Sequence, residues 1–255
     1  MFEVRGYGAF PLMTEGTSIH APKIMKSYTI LKSFPALLYS ALQLPAPSAR
    51  RALHYRKNLE ALKHMPPGLI ENQHTVFWDG VHYGYCPLFH RDFPASKNFC
   101  GPAAVYNACL LLGLPAGPVR LAALLRHFER KGIALRGYAG TAPSALSRYF
   151  RELGYRTETL FGDDALRPEA FGKEYRIFLA TVLKDRNRIT KGLHSVCISA
   201  DACGFRIHNA SCGHVTVFPT LPDAIRNAGH DGSRRPPCSL PVSVTAIAGA
   251  AREKR

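Results

Sequence analysis

Cys100 is the residue best placed to act as a nucleophile, because it begins a segment with the pattern of a buried helix. Apolar or small residues recur at positions 103, 104, 107, 108, 111 and 112, which is the period of one helix face. Pro102 fits only the first turn of a helix, and Gly101 leaves room for another group to approach the sulfur. Free N–H groups and the positive end of the helix dipole favour a thiolate. We therefore predict a reactive cysteine with a lowered pKa, against the alternative of a buried structural cysteine.

His194 and Asn209 are the residues that would activate such a thiol. A thiol needs a proton acceptor, and the acceptor needs a group that fixes its orientation. His194 opens a predicted strand after Gly192 and Leu193, and Asn209 follows 15 positions later (209 − 194). Because the residues between them read as strand, tight turn and strand, a hairpin brings its two ends side by side. This order predicts Cys100 as nucleophile, His194 as general base and Asn209 as the group that orients the imidazole.

The motif Cys100-Gly101-Pro102-Ala103-Ala104, followed by the hairpin with His194 and Asn209, resembles the papain-like cysteine peptidase superfamily. Within it, the pattern is most similar to the family that removes double-glycine leaders from bacteriocins and to its stand-alone bacterial relatives. The resemblance covers residues 99–218. It implies a papain-like α+β fold and cleavage of a peptide bond without a cofactor. By position, Cys100 is similar to the family's nucleophile, His194 to its general base and Asn209 to its orienting residue.

Two positions depart from the family pattern. The family often has Asp followed by Pro at the orienting position, whereas this chain has Asn209-Ala210. The family also places a glutamine about six residues before the cysteine to hold the oxyanion, and Pro94 stands there. No glutamine lies between Gln73 and Cys100. We therefore expect Asn98 and the backbone N–H of Cys100 to act as the oxyanion donors.

These departures leave two alternatives to a peptidase open. An amidase or a transpeptidase would use the same triad on another acyl substrate. A catalytically weak or inactive binding protein would keep the peptidase fold without a complete oxyanion hole. In each case the expected partner is a peptide or a protein.

The predicted elements define an α+β fold class, with a helical part first and a mostly antiparallel sheet afterwards. Proline starts and glycine stops predict helices at 118–132 and 143–154 after the Cys100 helix. Apolar or alternating runs predict strands at 156–160, 176–183, 193–200, 205–209 and 214–218, a short helix at 221–227 and an edge strand at 242–247. Upstream, the patterns predict helices at 26–43 and 49–65 and a hairpin at 74–85.

The domain organisation that we expect is a partly helical N-terminal extension over 1–70, a papain-like peptidase domain over 71–250 and a charged tail over 251–255. In the extension, residues 49–65 have the pattern of a basic amphipathic surface helix that carries Leu53, Leu59 and Leu62.

The distribution of charged residues along the chain argues against a nucleic-acid-binding protein and against a membrane-spanning one. The net charge is +15, and the basic and acidic residues number 11 and 6 over 1–99, 15 and 8 over 100–200, and 7 and 4 over 201–255. An excess spread in this way favours a solvated surface over a specific nucleic-acid interface. No spanning membrane segment is predicted, because Lys32 and Pro35 interrupt the apolar run 24–44.

The seven cysteines show no CxxC spacing, which favours free thiols in a reducing compartment. We therefore expect a cytoplasmic protein, with secretion as the alternative if translation begins at Met25. No metal site is predicted, because the possible ligands at 203, 208, 212 and 214 match no standard zinc spacing.

Overall fold

The helices predicted after Cys100 are present in the computed structural model, which describes residues 41–74, 80–167, 169–184, 192–210, 216–230 and 239–248. Pro118 and Pro143 stand in the first turn of their helices, where a missing N–H costs no hydrogen bond. The α-helices are α1 (Ser48–Ala61), α2 (Ala95–Asn98), α3 (Cys100–Leu111), α4 (Pro118–Lys131), α5 (Pro143–Glu152) and α6 (Leu221–Asn227). Short 3₁₀ segments cover Leu62–His64, Leu135–Gly137 and Gly162–Leu166.

The strands form antiparallel sheets. β1 (His82–Cys86) pairs with β2 (Arg91–Pro94). A larger sheet of six strands has the order β3-β8-β4-β5-β6-β7. Its strands are β3 (Thr157–Phe161), β4 (Ile177–Leu183), β5 (Leu193–Asp201), β6 (Gly204–His208), β7 (Thr216–Phe218) and β8 (Leu240–Ile247). The predicted α+β class, with helices first and an antiparallel sheet afterwards, is confirmed.

The strand predicted at 242–247 exists, but its predicted position at the sheet edge is wrong. β8 lies inside the sheet, where it pairs with β3 on one side and β4 on the other. Val242, Val244 and Ala246 are buried, as expected for a strand with neighbours on both sides. Its apolar pattern marks a strand, but only the long-range pairing fixes its place in the sheet.

The larger sheet carries a different apolar core on each face. On one face, Leu179 and Cys197 pack in the same cluster as the residues of α3. On the other face, Val182 and Val196 pack in the cluster that contains α6. Because successive side chains of a strand point to opposite faces, the side chain of Ser195 lies on the α3 side of β5. By the same rule, the imidazole of the neighbouring residue 194 projects toward the other face.

Residues 41–74 pack onto the helices and do not stand apart from them. The Leu44 N–H donates to the Ile133 carbonyl at 3.2 Å, next to the contact between α1 and α4. Leu62 and Ile70 belong to the apolar cluster around α3. Asn107 of α3 fixes this segment, because its Oδ1 accepts from the Ile70 N–H and its Nδ2 donates to the Ile70 carbonyl, both at 2.8 Å.

The helix predicted at 49–65 is present over Ser48–Ala61, and of the three leucines that its pattern indicates only Leu62, just after it, is fully buried. His54 and Asn58 are fully buried, whereas Leu53 and Leu59 are only half-buried. The helix can turn these polar side chains inward because both have hydrogen-bond partners in the protein.

Several predictions fall on residues outside the described ranges. These are most of the helix at 26–43, the hairpin residues 75–79 and the tail at 251–255. Among the described residues, no helix combines the length and the apolar character needed to cross a membrane.

Candidate active site

Cys100 is the first residue of α3, and it lines a cleft of about 230 Å³. The residue as a whole is half-buried, and its sulfur lies in a buried environment at the edge of this cleft. Asn98, the predicted oxyanion donor, lines the same cleft. The described residues that line it are Lys97, Asn98, Cys100, Tyr138, Ala139, Gly140, Thr141, Lys184, Gly192, Leu193 and Ser195.

Gly101 allows one wall of this cleft to approach the start of α3. A Cβ at position 101 would lie 2.7 Å from Thr141 Cβ and 2.9 Å from Thr141 Oγ1, which is closer than real Cβ contacts come. The Thr141 hydroxyl is itself fixed by a 2.6 Å hydrogen bond to the buried hydroxyl of Tyr83. The glycine is therefore required by the packing of Thr141 against the helix.

The Cys100 thiol does not have the lowered pKa that its position at a helix start predicts. Burial raises the pKa of Cys100, because a thiolate loses its hydration in this environment. The N–H and hydroxyl of Ser195, the charge of Lys184 and the Gly101 N–H act in the opposite direction and do not overcome burial. The predicted lowering of the pKa is therefore wrong, although the groups that stabilise negative charge are present around the sulfur.

His194 is buried, and its protonation state follows from its surroundings. Burial, together with the charge of Lys184, lowers the pKa of His194 to about 4. The ring is therefore neutral at physiological pH. His194 Nε2 lies 2.7 Å from the backbone oxygen of Asn209. Because a carbonyl only accepts, Nε2 carries the proton and Nδ1 keeps its lone pair.

Asn209 contacts His194 through its backbone and not through the amide that the sequence interpretation assigns to this role. Asn209 has φ of 64°, a left-handed conformation that asparagine tolerates better than most residues. Its side chain is bound to Gln73: Oδ1 accepts from the Gln73 N–H at 2.8 Å, and Nδ2 donates to Gln73 Oε1 at 3.0 Å. The side chain thus holds the backbone in the conformation that presents the carbonyl to His194.

Gln73 extends this network to the segment before the nucleophile. Its Nε2 donates to the Ser96 carbonyl in α2 at 3.0 Å. Gln73 is buried and engaged by Asn209 and Ser96, so it is a structural link between the end of β6 and α2. The chain passes from α2 directly into Cys100 through Phe99.

Cys100 contacts strand β5 at Ser195, the residue after His194, but it is not bonded to His194 itself. No hydrogen bond links the Cys100 sulfur to the His194 ring, although both residues lie in the described part of the chain. Ser195, which follows His194, is the residue of β5 whose N–H and hydroxyl act on the sulfur. The Ser195 hydroxyl also bonds to the Thr181 hydroxyl at 3.0 Å. The structure therefore brings together His194 and the Asn209 backbone, and separately Cys100, Asn98 and Ser195.

Asn98 lies at the cleft with one of its amide donors already in use. Its Nδ2 donates to the carbonyl of Gly137 in a short hydrogen bond. This bond ties α2 to the segment that precedes Tyr138, another residue of the cleft wall. An amide nitrogen carries two N–H groups, so one donor is left for a substrate oxygen.

The sequence interpretation misses Ser195, Lys184 and Gln73. Ser195 directly follows His194, and Lys184 begins the predicted loop that precedes it. The position of both residues near His194 in the sequence could therefore have identified them. No local signal identifies Gln73, because its partner Asn209 lies 136 residues away.

His208 of β6 is buried like His194, but its ring has different hydrogen-bond partners. His208 Nε2 lies 2.9 Å from Ser199 Oγ, and its Nδ1 lies 3.0 Å from Glu71 Oε1. Both ring nitrogens are therefore engaged by protein groups, which does not suit a zinc ligand. Cys203 is exposed in the preceding turn.

No protein family, no curated protein and no solved structure matches this chain.

Proposed function

We propose that the chain is a cysteine peptidase of papain-like fold that attacks peptide bonds through Cys100. The observation that supports this proposal most directly is the position of the cysteine. It begins a buried helix, it borders a cleft, and the N–H groups of Ser195 and Gly101 lie beside its sulfur. Groups that donate hydrogen bonds at such a point stabilise the negative charge on the sulfur when the thiol loses its proton.

The proposed reaction proceeds by formation and hydrolysis of a thioester. The Cys100 sulfur bonds to the carbonyl carbon, and the thiol proton passes to His194 Nδ1 once the imidazole has turned to the α3 side of β5. The oxyanion accepts hydrogen bonds from backbone N–H groups and from the free donor of Asn98. The carbon–nitrogen bond then breaks, and His194 returns the proton to the leaving amine. Water, deprotonated by His194, releases the acid and restores the thiol.

In this proposal Cys100 and His194 are both uncharged before the substrate reacts. Burial raises the pKa of Cys100 and lowers the pKa of His194, so the thiol and the imidazole are both uncharged before the reaction. The carbonyl of Asn209 fixes the Nε2 proton, which leaves Nδ1 as the acceptor. The base is therefore available without a preceding deprotonation step.

The cleft also suggests which peptides are bound. Lys97 and Lys184 line it, and none of the described lining residues has an acidic side chain. Among the described residues, no carboxylate lies within ion-pair distance of either ammonium group. We expect peptides with an acidic side chain near the scissile bond to be cleaved faster than their amide counterparts. A Lys184→Met variant should lose that preference, whereas an unchanged Glu-to-Gln ratio would exclude this part of the proposal.

Alkylation of Cys100 by iodoacetamide tests the proposed pair. The rate at Cys100 is followed by mass spectrometry of its peptide, because the chain has seven cysteines. We expect His194→Gln to slow the reaction, and cleavage of acidic peptides to disappear in both His194→Gln and Cys100→Ser. His208→Gln is the matched control, since His208 is also a buried histidine but is bound to Ser199 and Glu71. Equal rates in wild type and His194→Gln, without peptide cleavage in either, would refute the peptidase.

A peptide-binding protein without catalysis is the second candidate. It is favoured by the hydrogen bond that occupies Asn98 and by the lack of a direct bond between Cys100 and His194. In that case acidic peptides bind the cleft, as measured by fluorescence anisotropy, and remain uncleaved. Binding that survives Cys100→Ala but is lost in Lys184→Met would support this candidate.

A further inference from the structure

A second cluster of ionisable side chains lies outside the cleft, between α1 and the β1–β2 pair. His54 of α1, His82 of β1 and Asp92 of β2 each offer one ligand atom, and these atoms all lie within 4.8 Å of one another. The three residues come from separate elements, so no spacing motif in the sequence marks the cluster. Folding alone brings them together.

Each of the three residues has one buried polar atom that has no hydrogen-bond partner among the described residues. They are His54 Nε2, His82 Nδ1 and Asp92 Oδ1. His54 is fully buried, and its Nε2 lies 2.9 Å from Asp92 Oδ1, a contact that is an ion pair only when the ring is protonated. Buried polar atoms nearly always have a partner. Three such atoms in one small volume therefore indicate a partner that they share.

The other nitrogen of His54 has the environment of a metal-ligating histidine. His54 Nδ1 lies 2.7 Å from Glu129 Oε1, and Glu129 is 1% exposed. The same carboxylate oxygen accepts from the Gly84 N–H at 2.8 Å. Because a carboxylate accepts, Nδ1 carries the proton and the Nε2 lone pair points at the cluster. A carboxylate behind a histidine in this way is the usual second partner of a metal ligand.

We propose that His54 Nε2, His82 Nδ1 and Asp92 Oδ1 bind a divalent first-row transition metal ion, with Zn²⁺ as the favoured ion. Two imidazole nitrogens and one carboxylate oxygen form a common zinc ligand set. The Asp92 side chain is 16% exposed, so a water molecule can take the fourth position from the solvent side. The set lacks the all-oxygen donors that Mg²⁺ and Ca²⁺ prefer.

The charged groups around the cluster leave the ligand atoms accessible. Arg50 lies 3.6 Å from the other carboxylate oxygen of Asp92, Oδ2, so the arginine does not occupy Oδ1. Lys57 acts on His82 only as a more distant charge. Asn58 positions His82 by bonding to both its N–H and its carbonyl, at 2.8 and 2.9 Å. The ligands are therefore held in place by a frame that does not use their coordinating atoms.

A proton is the competitor of the metal ion at this site. Burial disfavours a charged His54 ring, but Glu129 and Asp92 together raise the pKa of His54. Burial lowers the pKa of His82. An imidazolium held between two carboxylates is thus the arrangement that the experiment must distinguish from a metal centre.

Zinc binding by the full-length protein tests the proposal. The protein is stripped with EDTA, dialysed and titrated calorimetrically with ZnCl₂ at about pH 7.5, where neutral imidazoles are available. We expect one tight site per chain that is lost in His82→Gln and in Asp92→Asn. Glu129→Gln, which removes only the partner of His54, should weaken binding by about 10- to 100-fold. His208→Gln, a buried histidine outside the cluster, should bind zinc as the wild type does.

X-ray absorption at the zinc edge keeps the proposal testable if a variant fails to fold. The zinc-loaded wild type should show imidazole and oxygen ligands without sulfur. Sulfur in the first shell, or equal zinc binding by wild type and Asp92→Asn, would overturn the proposal and assign the ion to cysteines elsewhere. Absence of a tight site in the folded wild type would also overturn it and leave the cluster as a proton-held network. These outcomes do not depend on peptidase activity.

Discussion

Replacing Asn209 by glycine separates the two ways in which this residue can orient His194. The sequence interpretation assigns the role to the side-chain amide, whereas in the structure the backbone carbonyl accepts from His194 Nε2 at 2.7 Å. Glycine keeps the carbonyl and adopts φ of 64° without strain. It removes only the two hydrogen bonds to Gln73. We therefore expect Asn209→Gly to lose stability but to keep the neutral, oriented imidazole.

The size of the stability loss follows from the groups left without partners. The Gln73 N–H and Gln73 Oε1 each lose a buried hydrogen bond, at a cost of about 1–3 kcal/mol per group. Relief of the left-handed backbone returns about 1–2 kcal/mol in Asn209→Gly but not in Asn209→Ala. The two variants lose the same bonds, so the alanine variant should be less stable by about 1–2 kcal/mol.

Two measurements on the same proteins check this prediction. Urea denaturation gives the free energies of unfolding, and iodoacetamide alkylation of Cys100 reports the proposed base. The alkylation rate of folded Asn209→Gly should equal that of the wild type, whereas His194→Gln should be slower. If Asn209→Gly were as slow as His194→Gln, the side-chain amide would be the orienting group and our assignment of the carbonyl would be wrong.

Three further predictions concern packing and protonation around the cleft. Gly101→Ala places a Cβ 2.7 Å from Thr141 Cβ, so we expect a loss of about 1–3 kcal/mol in urea denaturation; an unchanged midpoint would contradict the close contact. Asn107→Leu leaves the N–H and carbonyl of Ile70 unpaired, and the melting temperature should fall by an amount that corresponds to about 2–6 kcal/mol. A melting temperature within error of the wild type would show that this segment bonds elsewhere. Burial lowers the pKa of His194 to about 4, below the value of about 6.5 in the unfolded chain. The unfolded state therefore binds the extra proton as the pH falls between these values, and the wild type should lose about 3 kcal/mol of stability from this group. His194→Gln should lack this part of the pH dependence, and an identical slope in both proteins would refute it.

The resting state of the proposed nucleophile shows how burial and local structure compete. A helix start with free N–H groups favours a thiolate, and those groups are present at Cys100. The loss of hydration in the buried site outweighs them, so the pKa of the thiol is raised. The groups that lower it stabilise the thiolate that forms when the thiol loses its proton to the proposed base, because they already lie beside the sulfur.

Local signals in the sequence determine most of the secondary structure of this protein. Pro118 and Pro143 begin helices, and the glycines at 132 and 154 follow their ends. Residues 177–183 and 193–201 form strands as their composition predicts, and the period of residues 103–112 identifies the buried helix that begins at Cys100. Such features depend on neighbouring residues only, so a single sequence carries them. The approach of His194 to Asn209 also follows from local order, because one hairpin connects them.

Only the tertiary structure decides which atoms these elements present to one another. The insertion of β8 between β3 and β4 depends on pairing with segments far away in the chain. The bond of Asn209 to Gln73 spans 136 residues, and it leaves the backbone carbonyl to face His194. His54 reads as part of a surface helix, yet Glu129 and Asp92 surround it. The physical reason is the same in each case: burial and polar pairing are set by partners that no local pattern identifies.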